Sequence, residues 1–301
     1  MNLSTLIQHV SERNLQLRRL VIRQHGNIIA EHAFSGELPD QLWSISKTFT
    51  SMAIGMAAHE GYFDIHDKLH QYFPAANEAD FDQLTIHDLL SMGTGHDRDP
   101  LSKASEAKVE PLDLETCFFD EPLIHQPGTH FLYNNAATYL LSKLITKSTG
   151  RSLLDFLTPR LFEPLGVHEV TWLADSCGIN FGCMGLNMNV HDLSKAGQLM
   201  LNKGQWQGSQ LVPAEYVLEA TQQQISTANF KEPFATADHT SGYGYQIWMN
   251  RIPGSYRMDG LYAQYVVMLP EQNAVVTMIS NEPEKMTAIL ELTWQFILNQ
   301  F

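Results

Sequence analysis

Basic side chains are scarce in this sequence: 19 Lys and Arg stand against 33 Asp and Glu, a formal net charge of -14. That balance argues against nucleic acid or an anionic membrane surface as a partner. Cysteine is scarcer still. Cys117, Cys177 and Cys183 are odd in number and form no C-x-x-C pair, which suits reduced thiols rather than a disulfide framework. No apolar run approaches the roughly 18 to 20 residues that a membrane span needs. The N-terminal MNLSTLIQHVSERNLQLRR places Leu3, Leu6, Ile7 and Val10 at helical spacing, without a continuous apolar segment or small-residue cleavage site after it. The expected location is therefore the cytoplasm. Also missing are G-x-S-x-G, the serine elbow of α/β-hydrolases, and the HExxH of zinc peptidases. GTG at 93–95 lacks the third glycine and the βαβ frame of a dinucleotide loop, and His66 and His70 suit an exposed i, i+4 pair. No internal repeat or low-complexity tract is present.

What remains is the composition of a globular protein. At 301 residues, 44% hydrophobic and 17% charged, the chain can bury a large core in one big domain or two. Its acidity is uneven: residues 51–190 carry 19 acidic against 8 basic side chains, which reads as a solvated acidic surface. LVIRQHGNIIAEHAF (20–34) predicts a hairpin, and WSISKTFTSMAIGMAAHEG (43–61) an apolar helix closed by Gly61. LTIHDLLSM (84–92), capped by Thr85, and NNAATYLLSKLITKSTG (134–150), ended by Gly150, are two more helices. TGHDRDPLSKASEAKVEP (94–111) between them reads as a mobile surface loop. Further on, helices are expected in HDLSKAGQLMLNKG and PAEYVLEAT, and strands in YGYQIWMN (243–250), YAQYVVMLP (262–270) and NAVVTMIS (273–280). A final amphipathic helix spans 284–300. Strands at both ends with helices between predict an α+β fold, one sheet built from both termini with a helical insertion beside it.

Three stretches carry chemistry. Ser44 and Lys47 share a helix face at i, i+3, so the amine can reach the hydroxyl. Burial disfavours a charged lysine, and a neutral lysine can take the proton from serine, a poor nucleophile on its own. The helix start also favours negative charge through its free N–H groups. Spacing alone does not distinguish this pair from a capping serine and a surface lysine; SEAK at Ser105 to Lys108 repeats it in the charged loop. Tyr133-Asn134-Asn135 is the only Tyr-x-Asn in the chain. A phenol near a lysine can shuttle protons and the amide can orient a substrate carbonyl or the lysine. A tyrosine packed under a loop, with Asn135 as helix cap, is the bland alternative. In RMDGLYAQYVVMLPE (257–271), a glycine beside an apolar strand lets a ligand approach the backbone, where an N–H could complete an oxyanion hole with that of Ser44.

In this order, S-x-x-K, Y-x-N about ninety residues on and a late glycine-containing strand resemble the serine β-lactamase and penicillin-binding protein family. The likeness is to its class C β-lactamase branch with esterases and D-alanyl-D-alanine peptidases. LWSISKTFTSMAIGMA, LTIHDLLSMGTG, PGTHFLYNNAATYLLSKLITKSTGRSLLDFLTPRLFEPLGV, HDLSKAGQLMLNKG and YGYQIW are similar to successive segments of that branch. The resemblance implies a β-lactamase/transpeptidase-like fold, an antiparallel sheet flanked by helices. The sheet region would be 1–60 with 191–301, and the inserted helical region 61–190. It makes Ser44 the acylated serine, Lys47 its base, Tyr133 the group that protonates the leaving group and later activates water, and Asn135 the substrate-orienting amide. The third motif, Lys or His then Thr-Gly, falls on Met258-Asp259-Gly260, a departure. In the family that position recognises a substrate carboxylate. Met258 cannot, Asp259 would repel an anion, and strand alternation would turn Arg257 to the opposite face. Asp259, Gly260 and Leu261 would line the substrate site, with the N–H groups of Ser44 and Leu261 as the oxyanion pair.

These readings imply a serine hydrolase that acts through an acyl-enzyme on a small ester, amide or peptide, with no metal or organic cofactor. Lacking a carboxylate anchor, it suits a neutral ester or amide better than a β-lactam or a D-Ala-D-Ala peptide. A non-catalytic binding protein on the same fold is the rival from another class. The intact Ser44, Lys47, Tyr133 and Asn135 argue against it, because a lysine buried without a task is costly.

Overall fold

The expected hairpin forms as β1 (Leu17–Gln24) and β2 (Asn27–Ala33), turning on His25 and Gly26, both at positive φ. β1 also pairs antiparallel with β11 (Ala274–Ser280), so one sheet is built from both ends of the chain. In the computed structural model, which describes residues 1–36, 40–77, 80–102 and 113–301, the sheet order is β2-β1-β11-β10-β9-β8. The last three strands are β10 (Gln264–Leu269), β9 (Tyr256–Gly260) and β8 (Trp248–Met249).

Both faces of the central strands are buried, and alternation divides their side chains between two cores. Leu20, Ile22, Val267 and Met278 pack beneath the N-terminal helix (Ser4–Glu12) and the C-terminal helical segment that starts at Met286. Val21, Val266, Val275 and Ile279 face the larger core, shared with the helices Val190–Leu201, Ser46–His59 and Asn135–Thr149. The result is an α+β layered fold with the antiparallel sheet between helices.

The Ser46–His59 helix is enclosed on all sides, with every residue from Ser46 to Ala57 buried. A helix apolar all round belongs in a core. It ends on Gly61 at φ 82°, where Gly61 N–H donates to Ala58 O (3.0 Å) and Tyr62 N–H to Ala57 O (3.1 Å), the two bonds of a Schellman cap. Thr85 caps its helix as expected, in a reciprocal box with Asp88. Short strands unexpected from the sequence lie beside the main sheet. β3 (Asp40–Gln41), β5 (Leu186–Met188) and β4 (Thr171–Trp172) form one small sheet, and β6 (Gln205–Trp206) with β7 (Ser209–Gln210) a hairpin. The β3–β5 pairing continues in Leu42 N–H to Leu186 O (2.8 Å), which ties the approach to Ser44 to the 182–186 segment.

Two expectations fail and a third fails in part. Of 243–250, only Trp248–Met249 is a sheet strand. The rest winds past helices, with Gln246 at φ 60° donating its N–H to Leu90 O and its amide to Leu89 O and Leu90 O. Its aromatic residues suit a strand, but tertiary hydrogen bonds claim the backbone. The late strand begins at Gln264, not 262, because Tyr262 and Ala263 turn at φ 63° and 64°, and 256–260 forms a strand of its own. The supposed surface loop folds inward only at its start: Thr94 and His96 are fully buried, joined at 2.9 Å, with His96 Nε2 3.0 Å from Phe118 O, while Asp97, Arg98 and Ser102 are exposed as expected. Residues 103–112, with the Ser105–Lys108 repeat of the spacing, lie outside the described residues. Among the described residues no helix is long and apolar enough to cross a membrane.

The Val190–Leu201 helix reaches the sheet at Gly197, where a Cβ would stand 2.6 Å from Val266 Cγ1 and 2.7 Å from Val275 Cγ1. β-Branched neighbours are stiff and cannot give way freely. Gly197→Val should therefore destabilise the fold by about 2–3 kcal/mol through overpacking. Urea denaturation checks this, with a lowered midpoint at an unchanged slope.

Candidate active site

Ser44 stands in a single 3-10 turn, Trp43–Ile45, that feeds the buried helix. Lys47, 1% exposed, directs its Nζ at three oxygens: Ser44 Oγ (2.9 Å), Asn135 Oδ1 (2.8 Å) and Cys183 O (3.0 Å). Two of these are carbonyl oxygens and can only accept. Ser44 alone can also donate. A charged lysine would use all three N–H bonds. A neutral one keeps two for the carbonyls, and its lone pair is left toward the Ser44 hydroxyl. The geometry thus suits proton transfer from Ser44 to Lys47.

Local structure sets each partner. Asn134, not Asn135, caps the Asn135–Thr149 helix, its Oδ1 accepting from Ala137 N–H at 3.0 Å, so the Asn135 side chain is free for Lys47. The Cys183 carbonyl is held by the same helix that carries Lys47. Thr50 Oγ1 donates to Gly182 O (3.0 Å), and Ser46 Oγ accepts from Leu186 N–H (3.2 Å) while donating to Trp43 O (2.6 Å). Asp99 completes the chain: it accepts from Asn135 Nδ2 (2.9 Å) and Asn135 N–H (3.2 Å), which turns the amide oxygen toward Lys47. Sequence reasoning missed Asp99, because it sits in the stretch read as a loose loop.

Tyr133 places its ring 4.7 Å from Lys47 Nζ and stacks on Trp248 at 5.7 Å. Ser44, Tyr133, Asp259, Gly260 and Leu261 share one cavity of about 150 Å³, walled by Phe230, Phe234, His239, Trp248 and Tyr265. Gly260 is required by close approach, since a Cβ there would meet Leu42 O at 2.6 Å, two residues before Ser44. Trp43 at φ 47°, Tyr262 and Ala263 are non-glycine residues in the left-handed region around the same point.

The third motif needs correction. Met258 is fully buried in the core, while Asp259 lines the cavity. Arg257 and Asp259 are two apart on β9 and share a face, so alternation brings Arg257 to Asp259 rather than away from the site. The Arg257 Nε donates to Asp259 Oδ2 at 2.8 Å, and its Nη1 to Asp238 O (2.8 Å) and Asn250 Oδ1 (3.0 Å). Burial raises the Asp259 pKa and Arg257 opposes that rise. The carboxylate is therefore charge-balanced, not a free anion facing substrate. His239, also missed, accepts Thr236 N–H on Nδ1 (3.2 Å), which leaves Nε2 as its N–H donor. Burial, then Arg257, pushes its pKa down to about 3. Among the described residues no three metal-ligating side chains gather around Ser44.

A family model described as Beta-lactamase matches residues 21–295. The chain is 25% identical over 286 residues to the 6-aminohexanoate-dimer hydrolase of Paenarthrobacter ureafaciens, covering 88% of this chain and 72% of that protein. It is 23% identical over 302 residues to a beta-lactamase of Escherichia coli K12, covering 85% and 79%. The solved structure of EstCE1, a hydrolase with promiscuous acyltransferase activity, superposes with a TM-score of 0.76 at 15% identity, over 94% of each chain.

Two outcomes follow from this geometry. Asp99→Asn should lower kcat about tenfold or more, with a smaller change in KM, because a misdirected Asn135 loosens Lys47 at the reacting atoms; steady-state kinetics on an activated ester measures it. For His239, the folded protein holds the ring neutral while the unfolded chain protonates it below about pH 6.5. Stability should therefore fall as pH drops from about 6.5 toward 3, by up to about 1.4 kcal/mol per pH unit from this group. Urea melts at several pH values should show a shallower acid slope in His239→Gln.

Proposed function

The chain belongs to the beta-lactamase family and is a serine hydrolase, and from that premise we propose that Ser44 is its nucleophile and Lys47 the base that activates it. One observation carries this reading: the Lys47 amine held between Asn135 Oδ1 and Cys183 O with its third position on Ser44 Oγ. In the proposed reaction Ser44 Oγ attacks an ester or amide carbonyl as its proton passes to Lys47. The oxyanion is stabilised by the N–H groups of Ser44 and Leu261, both cavity-lining residues. Tyr133, stacked over the lysine, relays the proton to the leaving group as the carbonyl bond re-forms. Water then repeats the sequence on the acyl-enzyme, releasing the acid and regenerating Ser44. Asn135 positions both Lys47 and the substrate.

The substrate we infer is a neutral ester or amide with an apolar acyl group. That group would rest in the aromatic-walled cleft, which is open on one side and shares Tyr133, Phe230 and Phe234 with a larger groove. Arg257 supports this in a way the sequence did not suggest. Its guanidinium is 0% exposed and engaged by Asp259, so β9 offers no free cation for a substrate carboxylate. A reduced, cytoplasmic setting is part of the same reading, since all three cysteines are free thiols.

Treatment with a fluorophosphonate should add one mass adduct at Ser44, and Ser44→Ala should lose it together with at least about 10³-fold in activity. No adduct, or an adduct elsewhere, sinks the mechanism. Among short-chain p-nitrophenyl esters, a chromogenic cephalosporin and a D-Ala-D-Ala peptide, kcat/KM should be highest for an ester. A preference for the cephalosporin or the peptide overturns the substrate inference.

A further inference from the structure

Asp97, His125 and His130 bring one ligand atom each within 4.8 Å of one another, the one such trio of His, Cys, Asp or Glu among the described residues. No short motif announces it, because its members come from two loops 28 residues apart, joined in space. Those loops are pinned. The Gly95 carbonyl accepts from Ile124 N–H and His125 N–H, both at 2.9 Å, and Gly128 N–H donates to Gly93 O at 2.7 Å. Gly95 must be glycine here: its φ is 92°, and a Cβ would meet His125 O at 2.4 Å. The trio is thus carried on fixed backbone, with its side chains partly open to solvent.

The donor set is two imidazoles and one carboxylate, the set that binds first-row divalent cations and leaves coordination positions open. His125 Nε2 already stands 3.3 Å from Asp97 Oδ1, close to the separation of about 3.4 Å between tetrahedral ligands each about 2.0–2.1 Å from zinc. The two rings stack at 3.9 Å, 15° from parallel. Asn229 Nδ2 stands 3.0 Å from His130 Nε2, a contact that a cation held by that nitrogen would displace.

From this we propose that Asp97, His125 and His130 form a binding site for one first-row divalent cation, with zinc the first to test. The site adjoins the catalytic machinery without belonging to it. Asp97 and His130 line a groove of about 570 Å³ together with Asp99, Tyr133 and Asn135. Asp97 lies two residues before Asp99, which orients Asn135, and His130 three before Tyr133. A cation would cross-link the two loops that set the Asp99–Asn135 pair and the Tyr133 ring, and its open positions would be available to a carbonyl or carboxylate oxygen of a bound molecule.

The test uses the tag-free, full-length chain, stripped with EDTA and titrated with zinc chloride by calorimetry at pH 7.5. Cobalt(II) absorption serves as a second probe, since it reports nitrogen and oxygen ligation directly. One equivalent of zinc should bind with a Kd in the micromolar range or tighter and raise Tm. His125→Ala, His130→Ala and the conservative Asp97→Asn should each weaken binding at least about tenfold, while the His66→Ala/His70→Ala double variant should bind as the parent does. Asp97 is mostly exposed, so its variant should fold. The proposal falls if the parent takes up no stoichiometric zinc or cobalt at 100 μM, or if binding survives unchanged in all three ligand variants. Neither result bears on Ser44, whose labelling by fluorophosphonate reads the proposed hydrolytic site independently.

Discussion

A buried amine governs this site. Lys47 is almost wholly removed from water, and an unsatisfied polar nitrogen in that position would cost several kcal/mol. The surrounding structure answers that requirement with three oxygens at 2.8–3.0 Å. Each oxygen comes from a different part of the chain: the turn before the helix, the start of a second helix, and the 182–186 segment. Satisfying one nitrogen therefore fixes how three elements meet. Because two of its partners can only accept, the same satisfaction aims the remaining position at the one hydroxyl that can surrender a proton. The contacts that satisfy the amine also fix the Lys47–Ser44 geometry.

The backbone around Ser44 is strained as well. Trp43, Tyr262 and Ala263 hold positive φ without being glycine, while Gly260 approaches Leu42 O where no Cβ would fit. Such conformations cost of order 1–3 kcal/mol each and persist only where the surroundings over-determine them. The surroundings do so: β9 and β10 hold the 261–263 turn, the β3–β5 pairing holds the residues before Ser44, and Trp43 packs edge-on against Tyr262 at 5.2 Å. The strained turn and the Ser44 turn lean on one another, which puts Gly260, Leu261 and Ser44 around a single cavity.

Legibility in the sequence tracked how local the determining physics was. Ser44 and Lys47 were readable because i, i+3 spacing on an apolar helix is a local fact, and the hairpin and Thr85 cap were readable for the same reason. Tyr133 and Asn135 were readable as a pair, yet only the structure shows that Asn134 does the capping and releases Asn135. Asp99 and His239 were not readable. Their roles arise from loops folded inward by tertiary hydrogen bonds, in stretches whose polar or mixed composition resembles solvated loop. The aromatic run 243–250 misled in the opposite direction, since strand-forming residues there serve a winding segment anchored by Gln246. Arg257 was a different failure: the alternation rule was available, and it pairs Arg257 with Asp259 once Met258 is recognised as the core-facing residue.

That pairing alters the electrostatic logic of the cleft. A lone Asp259 would have excluded anions by repulsion, a long-range effect that salt and pH would weaken. A buried Arg257 paired with the cavity-lining Asp259 acts otherwise. Each charge already holds the other, and freeing the guanidinium for a substrate carboxylate would strand Asp259, a cost of several kcal/mol per unpaired ion. Any anion gained would have to exceed that loss and surrender its own hydration as well. Selectivity for neutral acyl groups would then come from an arginine whose charge is paired with Asp259 and whose unpartnered Nη2 is buried, set behind an aromatic wall that favours apolar contact. The raised Asp259 pKa fits the same arrangement, because burial weakens its charge while Arg257 preserves it. At 257–259 a buried arginine and its carboxylate partner thus balance one another beside a core-facing Met258.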